Sequence, residues 1–174
     1  ARLKKLIDDL LEASKASTGN LTVNAEPCDV GVLLDQTLGE YGEKLSAAGL
    51  EPVLTKPEKP VIIMADGRHM WRIFDNLLNN ICKYSQRGTR VYLEVCERDG
   101  KAVVTFRNIS SRQLNISSDE LMERFVRGDS SRSTEGNGLG LSIAQSLTEL
   151  QGGKMALAID GDLFKAILRF PTVV

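Results

Sequence analysis

Two segments of the chain combine residue types that could hold a phosphate and a metal ion. In residues 126–144, three glycines at alternate positions run directly into an apolar helical pattern: Gly136, Gly138 and Gly140. Glycine lets the backbone approach a ligand closely, and a helix N-terminus offers unpaired N–H groups to an anion. Arg127 and Arg132, just upstream, could add charge-assisted hydrogen bonds to phosphate oxygens. An ordinary loop and helix cap would explain this segment equally well on its own.

The second segment is a helix predicted over residues 67–84, with an asparagine-rich stripe beside its apolar face. Asn76, Asn80 and Lys83 fall at i, i+4 and i+7, so they share one side of the helix. Asn is a poor residue for a helix interior, whereas its carbonyl oxygen suits a hard cation such as Mg²⁺. Lys83 could neutralise a phosphate, and Tyr84 could lie against a base or pack in the core. The alternative is a solvated polar face, which Lys, Glu or Gln would serve better. The buried face is predicted to be Met70, Ile73, Phe74, Leu77, Leu78 and Ile81.

Composition narrows the class of protein. With 174 residues, 42% of them hydrophobic, the chain can form one domain with a real core. A net charge of −1 gives no argument for nucleic acid or an acidic membrane as the main partner. One histidine and three widely spaced cysteines argue against a zinc site, a His-rich metal site or a disulfide scaffold, and they favour a reducing cytosol. The sequence has no apolar run of membrane-spanning length and no signal peptide.

The opening residues are predicted to form a helix that ends in the polar cluster at 17–20. Its apolar residues recur at helical spacing: Leu3, Leu6, Ile7, Leu10 and Leu11. This stripe either joins the core or forms half of an interhelical seam, and we favour the seam because the segment begins abruptly. Since the chain starts inside a helical pattern and without Met, we expect it to be a fragment of a longer protein, with any membrane anchor outside it.

The remaining elements are predicted from periodicity and turn signals. Further helices are expected from Val32 through Leu45, stopping near Gly49, and from Leu139 to about Leu150. Strands are expected at residues 21–25, 53–55, 61–64, 90–96, 102–107, 154–159 and 163–170. Residues 108–137 are expected to form a long polar loop with one short helix at 119–125. This mixed order indicates an α+β fold: a two-layer α/β sandwich, with a mixed sheet covered by helices on one face.

Together the two segments resemble the catalytic ATP-binding domain of sensor histidine kinases, within the gyrase–Hsp90–histidine kinase–MutL ATPase superfamily. Residues 66–85 resemble the N box of that family, residues 121–129 its F box, and residues 135–141 its G2 box. The motifs stand in family order and at family-like separation. The resemblance implies a Bergerat-type ATP-binding fold over residues 19–174. It also implies that residues 1–18 are the C-terminal part of a dimerisation and phosphoacceptor helix.

The resemblance also implies residue roles. Asn76 and Asn80 would coordinate Mg²⁺, Lys83 would contact phosphate, and Tyr84 would lie against adenine. Arg127 and Arg132 would belong to a mobile lid and reach the γ-phosphate as the catalytic residues. The rest of the nucleotide-binding set would come from the G2 box, namely Gly136, Asn137, Gly138, Leu139 and Gly140. Phe125 would anchor the base of the lid in an apolar slot.

One position indicates the type of reaction. Hydrolysing members of the superfamily carry a Glu as general base where this chain has Asn76, and an amide cannot accept a proton at neutral pH. The resemblance therefore implies transfer of the ATP γ-phosphoryl group to a protein histidine, with catalysis by positioning and by Mg²⁺ and Arg electrostatics. The acceptor histidine would lie upstream of this chain, because His69 stands inside the N-box helix and is a poor candidate.

The chain departs from the family at the G1 box, Asp-x-Gly-x-Gly, which is missing after residues 102–107. Asn108 stands where the family Asp accepts a hydrogen bond from the adenine amino group, and it lacks the charge assistance of a carboxylate. The glycines of the box are absent too, and Ile109 cannot adopt positive φ at low cost. A working kinase domain with a variant adenine pocket is one hypothesis. A degenerate scaffold or regulatory interaction module is the second, and an anti-sigma-type serine kinase the third.

The resemblance finally implies cofactors, partners and location. The cofactors would be ATP and Mg²⁺. The partners would be the phosphoacceptor helix bundle of the same kinase and a response regulator, with no nucleic acid. The whole protein would be a homodimer with a cytoplasmic catalytic part and any membrane anchor outside this segment. Such a segment would bind Mg-ATP without autophosphorylating on its own.

Overall fold

In the computed structural model, helices and strands do not alternate in a regular order along the chain. The structure describes residues 2–18, 20–112 and 140–173. In chain order the elements are α1 (Arg2–Thr18), β1 (Glu26–Asp29), α2 (Val30–Glu40), α3 (Gly42–Ala47), β2 (Glu51–Thr55), β3 (Ile62–Ala65), α4 (Gly67–Tyr84), β4 (Arg90–Arg98), β5 (Lys101–Ile109), α5 (Gly140–Leu150), β6 (Lys154–Asp160) and β7 (Leu163–Pro171). Within the described ranges, no helix is both long and apolar enough to span a membrane.

The main sheet has five strands in the order β2-β4-β5-β7-β6. β2 runs parallel to β4, and every other neighbouring pair is antiparallel. The β4–β5 hairpin turns at Asp99 and Gly100, whose φ angles are +54° and +73°. Two consecutive positive φ angles are what a tight hairpin turn requires, and Asp-Gly supplies them at low cost. The strands predicted at residues 90–96 and 102–107 lie within this hairpin and are confirmed.

One face of the main sheet is apolar and buried beneath helices. Alternate residues of β4, β5 and β7 point into this layer, including Leu93, Phe106 and Leu168. From the helix side, Phe74 of α4 meets Phe106 with ring centroids 5.7 Å apart. α4 packs on α5, and α2 packs on α4. The α+β sandwich with helices on one face of a mixed sheet is therefore confirmed.

Two predictions of local structure are wrong. Residues 21–25 form no strand, because the backbone N–H of Asn24 donates to the Asp66 carboxylate (3.0 Å) instead of joining a ladder. The strand lies later, at β1, where it pairs antiparallel with β3. The helix expected from Val32 to Leu45 is two helices, α2 and α3, divided at Tyr41. Glycines flank the division at positions 39 and 42, where they weaken helix continuity.

α1 lies against α5 with much of its apolar stripe exposed. Leu3, Ile7, Leu10 and Leu11 are 48–69% exposed. The core alternative is therefore wrong for these four residues, and the interhelical seam stays a prediction. On its other side, α1 contacts α4 through Glu12, whose carboxylate accepts from the Arg72 guanidinium at 2.9 Å.

Candidate functional site

α4 positions the predicted site because its apolar face is locked into the core. Asp66 caps the helix, its carboxylate accepting from the backbone N–H of Arg68 at 3.0 Å. The Arg68 guanidinium donates to the same carboxylate and, with other donors, holds the pKa of Asp66 well below its usual value. The buried face predicted from periodicity is confirmed at every position: Met70, Ile73, Phe74, Leu77, Leu78 and Ile81.

The helix brings Asn76 to the start of α5. Gly140 opens that helix so close to Asn76 that a Cβ on the glycine would lie 3.9 Å from the Asn76 side-chain oxygen. Asn76 is only 8% exposed, and its amide nitrogen is buried with no hydrogen-bond partner among the described residues. A buried amide without partners is unusual in a folded protein. These two predicted site residues, far apart in sequence, thus meet at one point of the fold.

The other predicted residues of the helix lie along α4 towards its C-terminal end. Asn80 is half-buried one turn after Asn76, Lys83 is exposed, and Tyr84 is half-buried in the last turn. A helix rises 1.5 Å per residue, so Asn76 and Tyr84 stand about 12 Å apart along the axis. Asn76, predicted to hold Mg²⁺, and Tyr84, predicted to face the base, are therefore at opposite ends of one helix face, and Lys83 lies beside Tyr84.

The C-terminal end of α4 is fastened to the end of β5. Backbone hydrogen bonds join Gln86 N–H to Ile109 C=O (2.7 Å) and Ser111 N–H to Tyr84 C=O (2.8 Å). β5 continues as regular strand to Ile109, which pairs with Leu163. Tyr84 and Asn108 are thereby held near each other, at the end of the helix expected to face a base.

Asn108 is buried there, and its amide is oriented by a residue that the sequence analysis missed. Its amide nitrogen donates to the Ser85 hydroxyl at 2.9 Å. Its carbonyl oxygen is buried, and no described residue donates to it. The missed signal was strand alternation, which points Asn108 inward with Phe106; a buried amide needs partners, and Ser85 supplies one.

Asp75, the neighbour of Asn76 in sequence, is held by residues outside the predicted site. Its carboxylate accepts from the Tyr41 hydroxyl and lies 3.4 Å from the Arg72 guanidinium. Burial and this carboxylate raise the pKa of Tyr41, so the hydroxyl remains a donor. Through Arg72 the network reaches Glu12 of α1, which connects the predicted site helix to the first helix.

The remaining predicted site residues lie outside the described residues: Arg127, Arg132, Gly136, Asn137, Gly138 and Leu139. Phe125 and the short helix at 119–125 lie outside them as well. In the part of the chain that is described, no three His, Cys, Asp or Glu side chains are grouped to hold a metal ion. Asn76 and Asn80, with neutral oxygen donors one turn apart, fit a magnesium ion that brings most of its ligands with it.

Comparison with known proteins assigns the family. The model of the histidine kinase-, DNA gyrase B-, and HSP90-like ATPase family matches residues 65–171, which include α4, β5 and α5. The chain belongs to this family. The match confirms the family that the N box and G2 box indicated.

Relatives and solved structures of this ATPase family agree with that assignment. The signal transduction histidine-protein kinase BaeS of Escherichia coli (strain K12) is 29% identical over 90% of this chain and 34% of BaeS. The histidine kinase AdeS of Acinetobacter baumannii superposes with a TM-score of 0.80 at 19% identity, over 99% of this chain and 79% of AdeS. Full-length ShkA in complex with AMPPNP gives a TM-score of 0.83 at 22% identity, over 99% of this chain and 36% of ShkA.

The identities and coverages limit what each similarity shows. At 19% and 22% identity the two structures show a shared fold. The chain spans about a third of the length of the curated relatives it matches.

Proposed function

We propose that this chain is the ATP-binding catalytic domain of a two-component sensor histidine kinase. It transfers the ATP γ-phosphoryl group to a histidine outside residues 1–174. The observation that carries the proposal is a pair of buried amide atoms, the side-chain nitrogen of Asn76 and the side-chain oxygen of Asn108, neither of which has a hydrogen-bond partner among the described residues. A nucleotide has a charged phosphate end and a hydrogen-bonding base end, and it would satisfy both at once.

The phosphate end is the surface around Asn76 and Asn80, and Lys83, one residue before Tyr84, would reach the phosphates with its long side chain. Asn76 and Asn80 would hold Mg²⁺ through their side-chain oxygens, and the bound ion would neutralise charge on the phosphates. Because both donors are neutral, the negative charge that attracts the ion must come from the phosphates themselves. Gly140 begins α5 beside Asn76, so the N-terminal end of that helix would lie next to the bound phosphates.

The base end is the surface around Tyr84 and Asn108. The free Asn108 oxygen would accept from the amino group of adenine, in place of the carboxylate that the family uses. Tyr84 would lie against the ring. Arg127, Arg132, Asn137 and the glycines of the G2 box complete the proposed site as lid residues over the phosphates.

Phosphoryl transfer fits this site better than hydrolysis does. A general base for water would be expected near Asn76, and Asn76 itself cannot accept a proton. The adjacent carboxylate of Asp75 is held by the Tyr41 hydroxyl and the Arg72 guanidinium. His69 is a poor acceptor because its ring nitrogen already meets the Thr22 carbonyl at 2.8 Å. Positioning and electrostatics would supply catalysis.

We also propose the division of the chain and its partners. Residues 1–18 would be the end of a dimerisation and phosphoacceptor helix, and residues 19–174 the catalytic domain. The exposed α1 stripe would pack in that helix bundle, and the whole protein would form a homodimer that passes its phosphoryl group to a response regulator. The three cysteines are all free, which suits a cytoplasmic location.

Calorimetric titration with Mg-ATP and Mg-ADP tests the proposal. We expect binding that is lost in Asn80→Ala and kept in Asn79→Ala, the matched control, because Asn79 lies on the same helix outside the proposed site. Absence of binding at millimolar nucleotide would support the alternative of a degenerate scaffold, which the uninterrupted β5 strand at Ile109 favours. Equal loss in both variants would point to damage of α4 rather than to a site.

A further inference from the structure

The outer face of the main sheet, opposite the helices, is strongly basic. Strand alternation assigns the outward positions, because inward residues of the same strands are buried in the core. Seven outward positions on the described strands carry Lys or Arg, whereas three carry Asp or Glu. The seven are Arg90, Arg98, Lys101, Arg107, Lys154, Lys165 and Arg169. The whole chain has a net charge of −1, so this face is distinct from the average surface.

Several of these cations stand directly opposite one another across neighbouring strands. Arg107 of β5 is in register with Lys165 of β7, and Arg169 of β7 is in register with Lys154 of β6. Like charges directly opposite each other destabilise a sheet. These two repelling pairs, like a third formed by Arg98 and Lys101 at the hairpin end, are therefore a structural cost that a purely supporting surface would avoid.

Counter-charges do not relieve the repulsion. In the described part of the chain, none of these four side chains has a carboxylate within ion-pair distance. The Arg107 guanidinium lies 5.4 Å from the Tyr92 ring centroid, yet its Nε is buried without a partner among the described residues. Among the described residues, the Arg107 guanidinium therefore has an aromatic contact and no hydrogen-bond acceptor at Nε.

The four cations form two parallel rows with a neutral strip between them. One row is Arg107 and Lys165, and the other is Arg169 and Lys154. The strip consists of three residues in register across three strands: Thr105, Ile167 and Ala156. Lys165 and Arg169 are four residues apart on β7, so the rows are about 13 Å apart. An α-helix with its side chains is about 10–12 Å wide.

We propose that this trough, the strip with its two flanking rows, is a docking site for an amphipathic helix with acidic flanks from a protein partner. The apolar side of such a helix would rest on Ile167 and Ala156, and its carboxylates would pair with the two rows. A bilayer is flat and would meet the tips of the basic side chains without reaching the strip. A single-stranded nucleic acid would need several aromatic platforms, and among the outward residues of the described strands Tyr92 is the one aromatic.

Charge reversal in the trough tests the proposal. The test variant is Lys165→Glu combined with Arg169→Glu. The matched control is Arg98→Glu combined with Lys101→Glu, a like-charged pair in register at the hairpin end of the same face, with the same change in net charge. The probe is a fluorescent synthetic peptide with a leucine stripe flanked by glutamates at helical spacing. Its shuffled isomer and phosphatidylcholine vesicles containing one quarter phosphatidylserine are the comparison ligands.

We expect the peptide to bind the unaltered chain, with affinity about tenfold weaker for the test variant and within about twofold for the control. Thermal stability of the test variant should hold or rise, because each repelling pair becomes an attracting one, so a loss of binding will not reflect unfolding. Equal affinity for the test variant and the unaltered chain would overturn the proposal. No peptide binding, equal binding of the shuffled isomer, or binding of the vesicles in place of the peptide would overturn it as well.

Discussion

The hydrogen bond between Asn108 and Ser85 determines which end of the Asn108 amide a nucleotide base would meet. With its nitrogen donating to Ser85 at 2.9 Å, the amide presents its oxygen as the free group. That oxygen can accept from an amino group and cannot donate to a carbonyl. Replacing Asn108 by Leu, which is similar in size and apolar, removes the acceptor while it keeps the volume filled.

The size of the effect follows from the burial of Asn108, which is 4% exposed. Without the acceptor, the base amino group loses its partner in a site sealed from water, which costs about 1–3 kcal/mol. Since about 1.4 kcal/mol is a factor of ten, ATP affinity should fall roughly 5- to 150-fold. Folding stability should change little, because the loss of one neutral hydrogen bond is offset by removal of a buried unpaired oxygen.

The assay is calorimetric titration with Mg-ATP and with the analogue that lacks the 6-amino group of the base. The unaltered chain should prefer ATP, and Asn108→Leu should bind both nucleotides alike. Ser85→Ala frees the amide to turn and should reduce the same preference. In the Asn108→Leu background Ser85→Ala should have no further effect, because the two residues act through one hydrogen bond.

A preference for ATP that survives in Asn108→Leu would refute this reasoning, since the base would then be recognised elsewhere. Additive effects of Ser85→Ala and Asn108→Leu would also contradict it, because they would show that Ser85 does not act by orienting the amide. Thermal melts of all three variants provide the control for folding.

Three further predictions concern the binding of Mg²⁺, the Asp66 cap of α4 and the packing at Gly153. Mg²⁺ titrated without nucleotide should give no binding heat, because the proposed amide ligands carry no charge; tight binding of the ion alone would contradict this. The Arg68 side chain is the main cause of a folded-state pKa of Asp66 below the ordinary value of 3.8. The ionised carboxylate therefore stabilises the folded state fully above about pH 3.8, and this contribution is lost as the pH falls from 3.8 through the folded-state pKa. Asp66→Asn should flatten the acid limb of the melting temperature against pH, and an unchanged limb would argue against this role. Gly153→Ala would put a Cβ 2.6 Å from the Phe170 ring and should cost about 1–3 kcal/mol, measured by urea unfolding against Gly39→Ala, which meets nothing within 4 Å.

The parts of the fold that were predictable are those decided by local pattern. The apolar period of α4 and the alternating residues of the β4 and β5 strands are each written within a few residues of sequence, and each is confirmed. The mixed order of such helices and strands allowed the sandwich to be inferred, because an amphipathic helix and an alternating hairpin can bury their apolar faces against each other.

The wrong predictions depend on contacts between distant residues. Residues 21–25 alternate like a strand, but a hydrogen bond to Asp66 takes the backbone group of Asn24 that a ladder would need. The real strand, β1, contains Pro27 and only weak strand signals, and it exists because β3 pairs with it. Periodicity within one segment cannot reveal such competition.

In the candidate site too, some features follow from local sequence and others depend on contacts between distant residues. Asn76, Asn80 and Lys83 were found from their spacing on one helix, and Asn108 from its position in the family pattern. The meeting of Asn76 with Gly140 and the role of Ser85 depend on how α4, α5 and β5 pack, and neither segment alone encodes that. Had the alternation of residues 102–107 been continued to position 108, it would have indicated that Asn108 is buried and needs a partner.

The most direct test of the central claim is to follow the side-chain amide NMR signals of Asn76, Asn80 and Asn108 during a Mg-ATP titration. We expect all three to shift and to saturate at one nucleotide concentration, with Asn20 near the end of α1 as an unaffected control. That result would mean that a single nucleotide spans the α4 face from its phosphate end to its base end. Signals that stay unmoved, or that move at one end only, would contradict the proposed ATP site.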